Sequence, residues 1–307
     1  MTDATTDPIA VIGLGAMGLG MARSLLRAGM PVRGYDLRPE AGQELAAAGG
    51  AAAASPAAAA QGAGVVIVMV VNAAQAEAVL LGPDGALAGM AADGVVVLSS
   101  TVPAADARTL AEKVAATGRL FLDAPVSGGT VGAEAGSLTF MASGAPAAFA
   151  RADAALAGMA GKVYRLGDAA GTGSTVKAVN QLLAGVHIAA AAEAMAFGVR
   201  AGADPRTLFE VISNSAGNSW MWGNRVPHML DGDYTPRSAV EIFVKDLGLV
   251  LDAGRSLRFP LPQAAAAHQL FLMAAAAGLG REDDAAVVKV FERLAGIEVS
   301  RPQSGHE

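Results

Sequence analysis

The sequence contains no cysteine, few aromatic residues and no long unbroken apolar run. Without cysteine it can form neither a disulfide framework nor a thiol nucleophile, which agrees with a cytoplasmic location. Its strongest apolar run covers only residues 65–71, far short of the roughly 20 residues that a membrane-spanning helix needs. The acidic N-terminus has no basic region before the first apolar run, so we expect neither a signal peptide nor membrane association.

Positive charge is also sparse, with 22 Lys and Arg against 28 Asp and Glu and a net charge of −6. No basic cluster or basic-aromatic stripe occurs, so we do not expect nucleic-acid binding. His187, His228 and His268 lack the spacing of metal ligands, and we expect no metal site. A chain of 307 residues can bury a sizeable core, and two domains are the natural expectation.

A glycine-rich turn follows the first predicted strand, residues 9–12, and precedes a predicted helix. In this setting Gly13 allows a tight turn, Gly15 lets the backbone approach a pyrophosphate, and Gly18 permits close packing of helix on strand. A second strand, residues 32–35, ends at Asp36, whose carboxylate can bind a ribose diol and repel a 2′-phosphate. The pattern predicts NAD as cofactor, although Arg38 could accommodate the extra phosphate of NADP. The predicted cofactor loop comprises Gly13, Leu14, Gly15, Ala16, Met17 and Gly18.

Strands at 65–70, 95–98 and 120–122 then alternate with helices at 73–81 and 103–117. This alternation predicts an α/β domain with a doubly wound, mostly parallel Rossmann-type sheet, which we assign to residues 1–168. Ligands of such sheets bind beyond the carboxyl ends of the strands, so we expect Asn72 and Thr101 to face the cofactor. Ordinary capping of the next helix is the alternative for both residues.

A loop containing Ser127, Gly128 and Gly129 follows the strand at 120–122. Consecutive backbone N–H groups in such a loop can form a concavity that receives a carboxylate. A simple turn is the alternative. Two further strands, residues 138–143 and 163–166, flank a predicted helix at 146–156.

Lys177 is the only charged residue between Asp168 and Glu193, near the start of a long alanine-rich helix. Val176, Val179, Leu183 and Val186 recur at helical spacing and predict the buried stripe of that helix. Asn180 and Gln181 share one helix face with Lys177. Desolvation lowers the pKa of a buried lysine toward the range useful for acid-base chemistry, whereas a solvated lysine at the helix rim is the alternative.

The remaining chain reads as an all-helical domain, residues 169–300, followed by a tail at 301–307 that we expect to be disordered. Helices are predicted at 205–213, 236–257, 262–277 and 283–294. The connection at 217–222 contains both tryptophans, and Trp220 could line a pocket or lie in the core. Lys245 and Asp246 interrupt an apolar run, which indicates either a functional lysine or an ion pair.

Together these motifs resemble the β-hydroxyacid dehydrogenase family over nearly the whole chain. The resemblance rests on the glycine-rich turn, the segment from Asp123 to Gly129, the segment 171–181 with Lys177, and Lys245-Asp246. It implies that Lys177 is the catalytic residue, and that Lys245 and Thr101 contact NAD. It further implies that Ser127, Gly128, Gly129 and Asn180 bind the substrate. Gln181 departs from the family, where many members carry asparagine, and its amide is expected to point outward.

The family implies hydride transfer between a small hydroxy acid and NAD. Within it, the segment 216–237 is most similar to enzymes that oxidise a four-carbon sugar acid, and its Asn, Ser and Arg residues favour a polyol acid. The alternatives are oxidation of 3-hydroxyisobutyrate, reduction of tartronate semialdehyde, imine reduction on the same scaffold, and a cofactor-binding interaction module without catalysis. The alanine-rich helices at 178–196 and 264–277 suggest a homo-oligomer, either a dimer or a tetramer.

Overall fold

A computed structural model describes residues 7–300. The chain divides into two compact units, with the division after Lys177. The sequence places the domain boundary earlier, between residues 168 and 169. The difference arises because the first turn of the long helix that carries Lys177 hydrogen-bonds to the first unit. The predicted tail at 301–307 lies outside the described residues.

The first unit is built on a six-stranded, fully parallel sheet in the order β3-β2-β1-β4-β5-β6. This order places β1 beside both β2 and β4, so the loops after these three strands emerge next to one another at one edge of the sheet. The predicted doubly wound Rossmann-type sheet is therefore confirmed. The strands are β1 (Ile9–Ile12), β2 (Val32–Tyr35), β3 (Ala51–Ala52), β4 (Val65–Val68), β5 (Val95–Leu98) and β6 (Leu120–Asp123).

The central strands β1, β4 and β5 are buried along their whole length, as expected for parallel strands covered on both faces. Their side chains divide between two apolar clusters, one of which contains Val11 and Ile67 and the other Ile12 and Val68. The helices of this unit are α1 (Ala16–Arg27), α2 (Pro39–Ala47), α3 (Pro56–Ala59), α4 (Ala73–Leu81), α5 (Ala86–Gly89), α6 (Ala104–Ala115), α7 (Gly129–Ala135) and α8 (Pro146–Met159).

A smaller sheet of three strands follows, formed by β7 (Val126–Ser127), β8 (Leu138–Ala142) and β9 (Ala160–Arg165). Strand β7 is antiparallel to β8, and β8 is parallel to β9. An antiparallel bridge between Asp123 and Ser143 links the end of β6 to the residue after β8. This bridge brings two polar side chains together at the end of the main sheet.

Helix α9 (Thr172–Arg200) runs for 29 residues from the first unit into the second. The prediction that Val176, Val179, Leu183 and Val186 form its buried stripe is wrong for the first three, which are 36%, 55% and 48% exposed. Val186 is half-buried and packs against the core of the second unit. The buried face instead combines small residues, such as Ala184 and Ala192, with Ile188 and Met195, and its small residues let it approach its neighbours closely. A Cβ added to Gly185 would lie 2.9 Å from the side chain of Leu247, and one added to Gly198 would lie 2.3 Å from that of Leu208.

Among the described residues, α9 is the one helix with the length and hydropathy of a membrane span. However, 56% of its most apolar window is buried inside the protein, as expected for a core helix. Packing within the fold thus accounts for the buried part of α9.

The second unit is all-helical within the described residues, as predicted. Its remaining helices are α10 (Pro205–Ser213), α11 (Trp220–Asp231), α12 (Val240–Leu257), α13 (Pro262–Ala274), a π-helical turn at Ala275–Leu279, a 3₁₀ turn at Asp284–Val287, and α14 (Val288–Ala295). A single apolar cluster contains residues from α9, α11, α12 and α13, with Phe243 and Phe271 stacked 5.2 Å apart between ring centroids.

Helix α11 was not predicted, because its sequence contains Gly223 and an internal Pro227, both of which disfavour a helix. Tertiary burial outweighs these preferences, since Trp222, Val226 and Met229 are buried in the core of this unit. The hydroxyl of Ser219 accepts a hydrogen bond from the backbone N–H of Trp222 and caps the helix.

Candidate active site

The glycine-rich turn lies at the carboxyl end of β1 and leads directly into α1. Gly13 has a φ of 93°, and a Cβ there would lie 2.3 Å from the carbonyl oxygen of Met69. A Cβ on Gly18 would lie 1.9 Å from the carbonyl oxygen of Gly13. The fold itself therefore requires glycine at both positions, in the roles that the sequence predicts.

Gly15 is different, because nothing within the protein requires glycine there. Its φ of −66° is ordinary for any residue, and an added Cβ would meet no atom within 4 Å. Gly15 precedes α1, whose first turn has no side-chain cap, so its backbone N–H groups point beyond the helix N-terminus. Without a side chain at Gly15, a pyrophosphate can approach the backbone N–H groups at the start of α1. The glycine-rich turn therefore fits a dinucleotide cofactor.

Asp36 follows β2 and lies beside the same turn. Its carboxylate accepts hydrogen bonds from the backbone N–H of Leu14 at 2.8 Å and from that of Arg38 at 2.9 Å, and Nε of Arg38 adds a third at 3.2 Å. Burial opposes ionisation of Asp36, but the bonds from Arg38 and Leu14 outweigh it and hold its pKa below the usual value. A carboxylate anion therefore stands where a ribose is expected.

Asn72 and Thr101 follow β4 and β5 at the same edge of the sheet. The side chain of Asn72 accepts a hydrogen bond from the backbone N–H of Gln75 at 2.9 Å and caps α4. The capping alternative is thus correct for Asn72, and contact with a cofactor stays a prediction. Thr101 is half-buried, and its predicted contact with the cofactor also stays a prediction.

Ser127, Gly128 and Gly129 form the junction between β7 and α7. Gly128 has a φ of 132° and Gly129 a φ of 62°, conformations that favour glycine strongly. Gly128 and Gly129 are exposed at the start of α7, and Ser127 is half-buried. The local geometry is compatible with the predicted carboxylate site.

Lys177 lies one turn into α9, and its residue surface is only 7% exposed. The start of α9 is fixed by Asp123, which is fully buried at the end of β6. The Asp123 carboxylate accepts hydrogen bonds from the backbone N–H of Gly171 at 2.8 Å and of Ser174 at 2.9 Å. It also accepts one from the Ser174 hydroxyl at 2.6 Å. Since Lys177 follows Ser174 by one helical turn, these bonds set the position of the lysine relative to the sheet.

Ser143 and Gly173 complete this attachment. The Ser143 hydroxyl donates to Asp123 at 3.3 Å and accepts from the backbone N–H of Gly173 at 3.0 Å. A Cβ on Gly173 would lie 2.3 Å from the carbonyl oxygen of Met141, so only glycine allows this close approach. Burial raises the pKa of the Asp123 carboxyl, although hydrogen bonds from Ser174, Gly171 and Ser143 favour its ionised form. Sequence reasoning missed this role of Asp123, because its partners lie 48 to 51 residues further along the chain.

In the second unit, Asn180, Gln181, Asp246 and Lys245 form a connected polar line. The Asn180 amide donates to Gln181 Oε1 at 2.9 Å, and Gln181 Nε2 donates to Asp246 Oδ2 at 2.5 Å. Asp246 Oδ1 lies 2.9 Å from the ammonium of Lys245. The expectation that the Gln181 amide points outward is wrong, because Gln181 is only 7% exposed and reaches Asp246. For Lys245 the sequence indicates either a functional lysine or an ion pair, and the structure shows an ion pair with Asp246.

Trp220 is the first residue of α11, and it is 67% exposed, whereas Trp222 is buried and lies 6.2 Å from Phe209 between ring centroids. Trp220 lines a surface pocket of about 510 Å³ in the second unit. The other lining residues are polar or small: Ser213, Asn218, Ser219, Gly223 and Asn224.

Two other polar residues of α11 face inward instead. Arg225 donates two hydrogen bonds to Asp284, and His228 Nδ1 lies 3.0 Å from Asp283. Both aspartates are fully buried. Arg225 and His228 therefore stabilise the core of the second unit, and only the part of the segment near Asn218 and Asn224 lines the pocket.

The first unit thus gathers the predicted cofactor loop, Asp36, Asn72 and Thr101 at the carboxyl edge of one sheet. At the end of β6, Asp123 binds the start of the helix that carries Lys177. The junction at Ser127 follows β6 in the chain. The second unit holds Asn180 and Lys245 in one polar line and places Trp220 on a separate surface pocket. No group of three or more metal-ligating side chains occurs within residues 7–300.

Comparison with known proteins agrees with this geometry. A family model described as the NAD-binding domain of 6-phosphogluconate dehydrogenase matches residues 8–167. A second model, described as NAD-binding of NADP-dependent 3-hydroxyisobutyrate dehydrogenase, matches residues 171–291. The two matches meet near the start of α9.

Three relatives illustrate the similarity. The chain is 59% identical to an L-threonate dehydrogenase of Cupriavidus necator, over 95% of this chain and 97% of that protein. It is 35% identical to human mitochondrial 3-hydroxyisobutyrate dehydrogenase, over 92% of this chain and 86% of that protein. A crystal structure named 3-hydroxyisobutyrate dehydrogenase, from Salmonella typhimurium, is 51% identical and superposes with a TM-score of 0.87, covering 92% of this chain and 99% of that chain.

The nucleotide-binding loop, the attached lysine helix and these full-length similarities agree with one another. The chain belongs to the β-hydroxyacid dehydrogenase family of NAD-dependent oxidoreductases, which act on CH–OH groups.

Proposed function

We propose that this enzyme oxidises L-threonate to its 2-oxo acid with NAD. The observation that carries the proposal is the buried Lys177, which is held one helical turn beyond an attachment to the cofactor-binding sheet. A lysine beside a cofactor edge can exchange a proton with a hydroxyl group while hydride moves. A solvated lysine on a helix rim would not require the buried carboxylate of Asp123 to fix its helix.

The bound cofactor supplies the hydride acceptor. Lys177 in its neutral form takes the hydroxyl proton as the C–H bond breaks, and in the reverse direction its ammonium returns that proton. The backbone N–H groups at Gly128 and Gly129 and the Ser127 hydroxyl bind the substrate carboxylate, and Asn180 orients the substrate hydroxyl groups. Such positioning is a large part of the rate gain in bimolecular reactions.

The choice of L-threonate among hydroxy acids is supported by the Cupriavidus necator relative and by the polar lining of the pocket beside Trp220. A binding site rich in amide and hydroxyl groups favours a polyol acid over an apolar substrate, because it offers hydrogen bonds that an apolar substrate cannot make. We assign Trp220 to this pocket as a substrate contact. 3-Hydroxyisobutyrate, which lacks the additional hydroxyl groups, is the alternative substrate.

NAD is preferred over NADP because the ionised Asp36 would repel a 2′-phosphate. Arg38 could offset this repulsion, but its guanidinium already bonds Asp36 and donates to the carbonyl oxygen of Leu14 at 3.2 Å. Asn72, Thr101 and Lys245 complete the proposed cofactor contacts.

The substrate is tested by initial rates of NADH formation from L-threonate, D-threonate, 3-hydroxyisobutyrate and glycerate, with NADP as a second cofactor. We expect the highest kcat/KM with L-threonate and NAD. A higher kcat/KM with 3-hydroxyisobutyrate or glycerate would leave the reaction class intact and refute the substrate. A preference for NADP would refute the role of Asp36.

The role of Lys177 is tested by Lys177→Ala, with Lys113→Ala as a matched control because Lys113 is exposed and pairs with Glu77 in the same unit. We expect Lys177→Ala to lower kcat by at least about 100-fold, the typical contribution of general acid-base catalysis. Binding of NADH, followed by fluorescence, should change little. Near-normal turnover in Lys177→Ala would remove this residue from the mechanism.

A homo-oligomer in the cytoplasm completes the proposal. Val179, Leu183 and Phe197 lie along one exposed apolar face of α9, with Phe197 74% exposed, and burial against a second copy would remove this face from water. Sedimentation at micromolar concentration should give a dimer or tetramer, and a monomer would contradict this assignment. Cell fractionation tests the location.

A further inference from the structure

The polar line in the second unit ends in two residues to which the proposed function gives roles. Asn180, at one end, is assigned to the substrate, and Lys245, at the other, to the cofactor. Gln181 and Asp246 lie between them and have no role in the proposed reaction. Both are buried, with exposures of 7% and 2%.

The line consists of two hydrogen bonds and one ion pair, and each uses a different atom of Gln181 or Asp246. Asp246 places Oδ2 toward Gln181 Nε2 at 2.5 Å and Oδ1 toward Lys245 Nζ at 2.9 Å. Gln181 uses Oε1 to accept from Asn180 at 2.9 Å. The carboxylate and the amide are rigid planar groups, each with two polar atoms. When one polar atom of a group is held by a partner, the direction of its second polar atom is fixed as well. The Asn180 amide and the Lys245 ammonium are therefore oriented by the same two side chains.

Packing of the helices does not explain this line. Gly185 of α9 already lies against Leu247 of α12, where a Cβ would come within 2.9 Å of the leucine side chain. Phe243 and Leu247 on either side of Asp246 are buried apolar residues of the same core. A buried carboxylate at such a place costs desolvation energy, and apolar replacements of buried ionic groups are often neutral or stabilising. An arrangement that stability does not require points to function.

We propose that Gln181 and Asp246 are positioning residues that align the Asn180 amide with the Lys245 ammonium. The glutamine is matched to this task by its length, because asparagine at this position would be shorter by one methylene, about 1.5 Å, and would not reach Asp246. The inference rests on the proposed function, since it takes from it the assignments of Asn180 and Lys245.

The test is a double-mutant cycle on the complete enzyme with Gln181→Met, Asp246→Asn and the double variant. Gln181→Met keeps length and volume but removes the amide that accepts from Asn180 and donates to Asp246. The measurements are kcat and KM for L-threonate, the Kd of NADH by fluorescence, and the midpoint of thermal unfolding. Gln61→Met is the matched control, because Gln61 is an exposed glutamine of the first unit.

We expect Gln181→Met and Asp246→Asn each to lower kcat/KM for L-threonate about tenfold, the effect of one hydrogen bond to a charged group. Asp246→Asn should also raise the Kd of NADH about tenfold, and Gln181→Met should raise it less. The double variant should be no worse than Asp246→Asn alone, because residues acting through one line are not additive. Gln181→Asn should behave like Gln181→Met, whereas Gln61→Met should behave like the wild type.

Two results would overturn the inference. One is that the effects of the two single variants on kcat/KM multiply in the double variant. The other is that the losses of kcat/KM in the single variants occur only in proportion to a loss of thermal stability. That result would make the polar line a structural element. If Gln181→Met does not fold, Gln181→Asn supplies the same cycle.

The inference and the proposed function can fail separately. A wild-type enzyme that oxidises none of the hydroxy acids refutes the proposed function, and the Kd of NADH in the two single variants then still decides whether Asp246 and Gln181 position Lys245. An active wild type with unchanged kcat/KM and unchanged Kd in the variants refutes the inference alone.

Discussion

Gly15→Ala should separate cofactor binding from folding, because Gly15 is free of every constraint inside the protein. Its φ is ordinary, and an added methyl group would meet no atom within 4 Å. Alanine is a poorer helix cap than glycine by roughly 0.5–1 kcal/mol, and it gains about the same amount by restricting the unfolded chain. The net change in the free energy of unfolding should therefore stay within about 1 kcal/mol.

Cofactor affinity should respond quite differently. The new methyl group would lie at the uncapped N-terminus of α1, where we propose that the backbone approaches the pyrophosphate. The loss of one hydrogen bond to a charged group costs about 1.5–3 kcal/mol, or about 10- to 150-fold in the Kd of NADH. Fluorescence titration with NADH gives the affinity, and thermal unfolding without NADH gives the stability.

Gly18→Ala provides the contrast, since its Cβ would lie 1.9 Å from the carbonyl oxygen of Gly13. This overlap forces α1 away from the loop, and we expect destabilisation of at least 1–3 kcal/mol, the usual cost of overpacking. Wild-type affinity for NADH in Gly15→Ala would refute the assignment of the loop. A loss of affinity that accompanies an equal loss of stability would refute the claim that Gly15 is unconstrained by the fold.

Other substitutions test the buried charges. Asp123→Asn places an amide N–H₂ against the N–H groups of Gly171 or Ser174. We therefore expect kcat to fall at least about tenfold, with little change in the affinity for NADH. An unchanged kcat would show that the attachment of α9 is not needed for catalysis. The raised pKa of the Asp123 carboxyl means that the folded state holds this proton more tightly than the unfolded chain. The carboxyl therefore lowers the free energy of unfolding as pH rises from about 4 through the folded pKa, and urea titrations across this range should show that Asp123→Asn removes the decline. Arg225→Leu leaves Asp284 buried without its cation and should lower the free energy of unfolding by about 3–5 kcal/mol. The double variant Arg225→Leu with Asp284→Leu should recover much of this loss. A double variant that is no more stable than Arg225→Leu would contradict this account.

Local sequence patterns were sufficient for the glycine-rich turn and for strands β1, β2, β4, β5 and β6 of the first unit, whereas the short β3 and helices α2, α3 and α5 were not predicted. The glycines at 13, 15 and 18 and the carboxylate of Asp36 each have a role that depends on a neighbouring strand or helix, and the alternation of strand and helix gives the parallel topology directly. The positions of Lys177 and Ser127 in the fold followed for the same reason. Their chemical roles rest on the family resemblance and on the tests above.

Interactions between residues that lie far apart in the sequence could not be predicted from local patterns. Nothing near Asp123 indicates that it binds the start of a helix 48 residues later, and nothing near Gln181 indicates a partner 65 residues away. Helical spacing alone does not show which face of α9 is buried, because both faces carry apolar residues: Val179 and Leu183 are exposed, whereas Ile188 and Met195 are buried. Helix α11 was missed because local preferences at Pro227 oppose a helix that burial stabilises.

The small side chains on the buried face of α9 have a further consequence for the entropy of folding. Leucine and methionine lose rotamer freedom when they are buried, whereas alanine and glycine have none to lose. Ala184, Ala191 and Ala192 are buried in this face beside the larger Ile188 and Met195. The alanine and glycine positions of the helix that carries Lys177 and Asn180 are therefore ordered without loss of side-chain entropy, and Gly185 and Gly198 let the side chains of Leu247 and Leu208 lie directly against the helix.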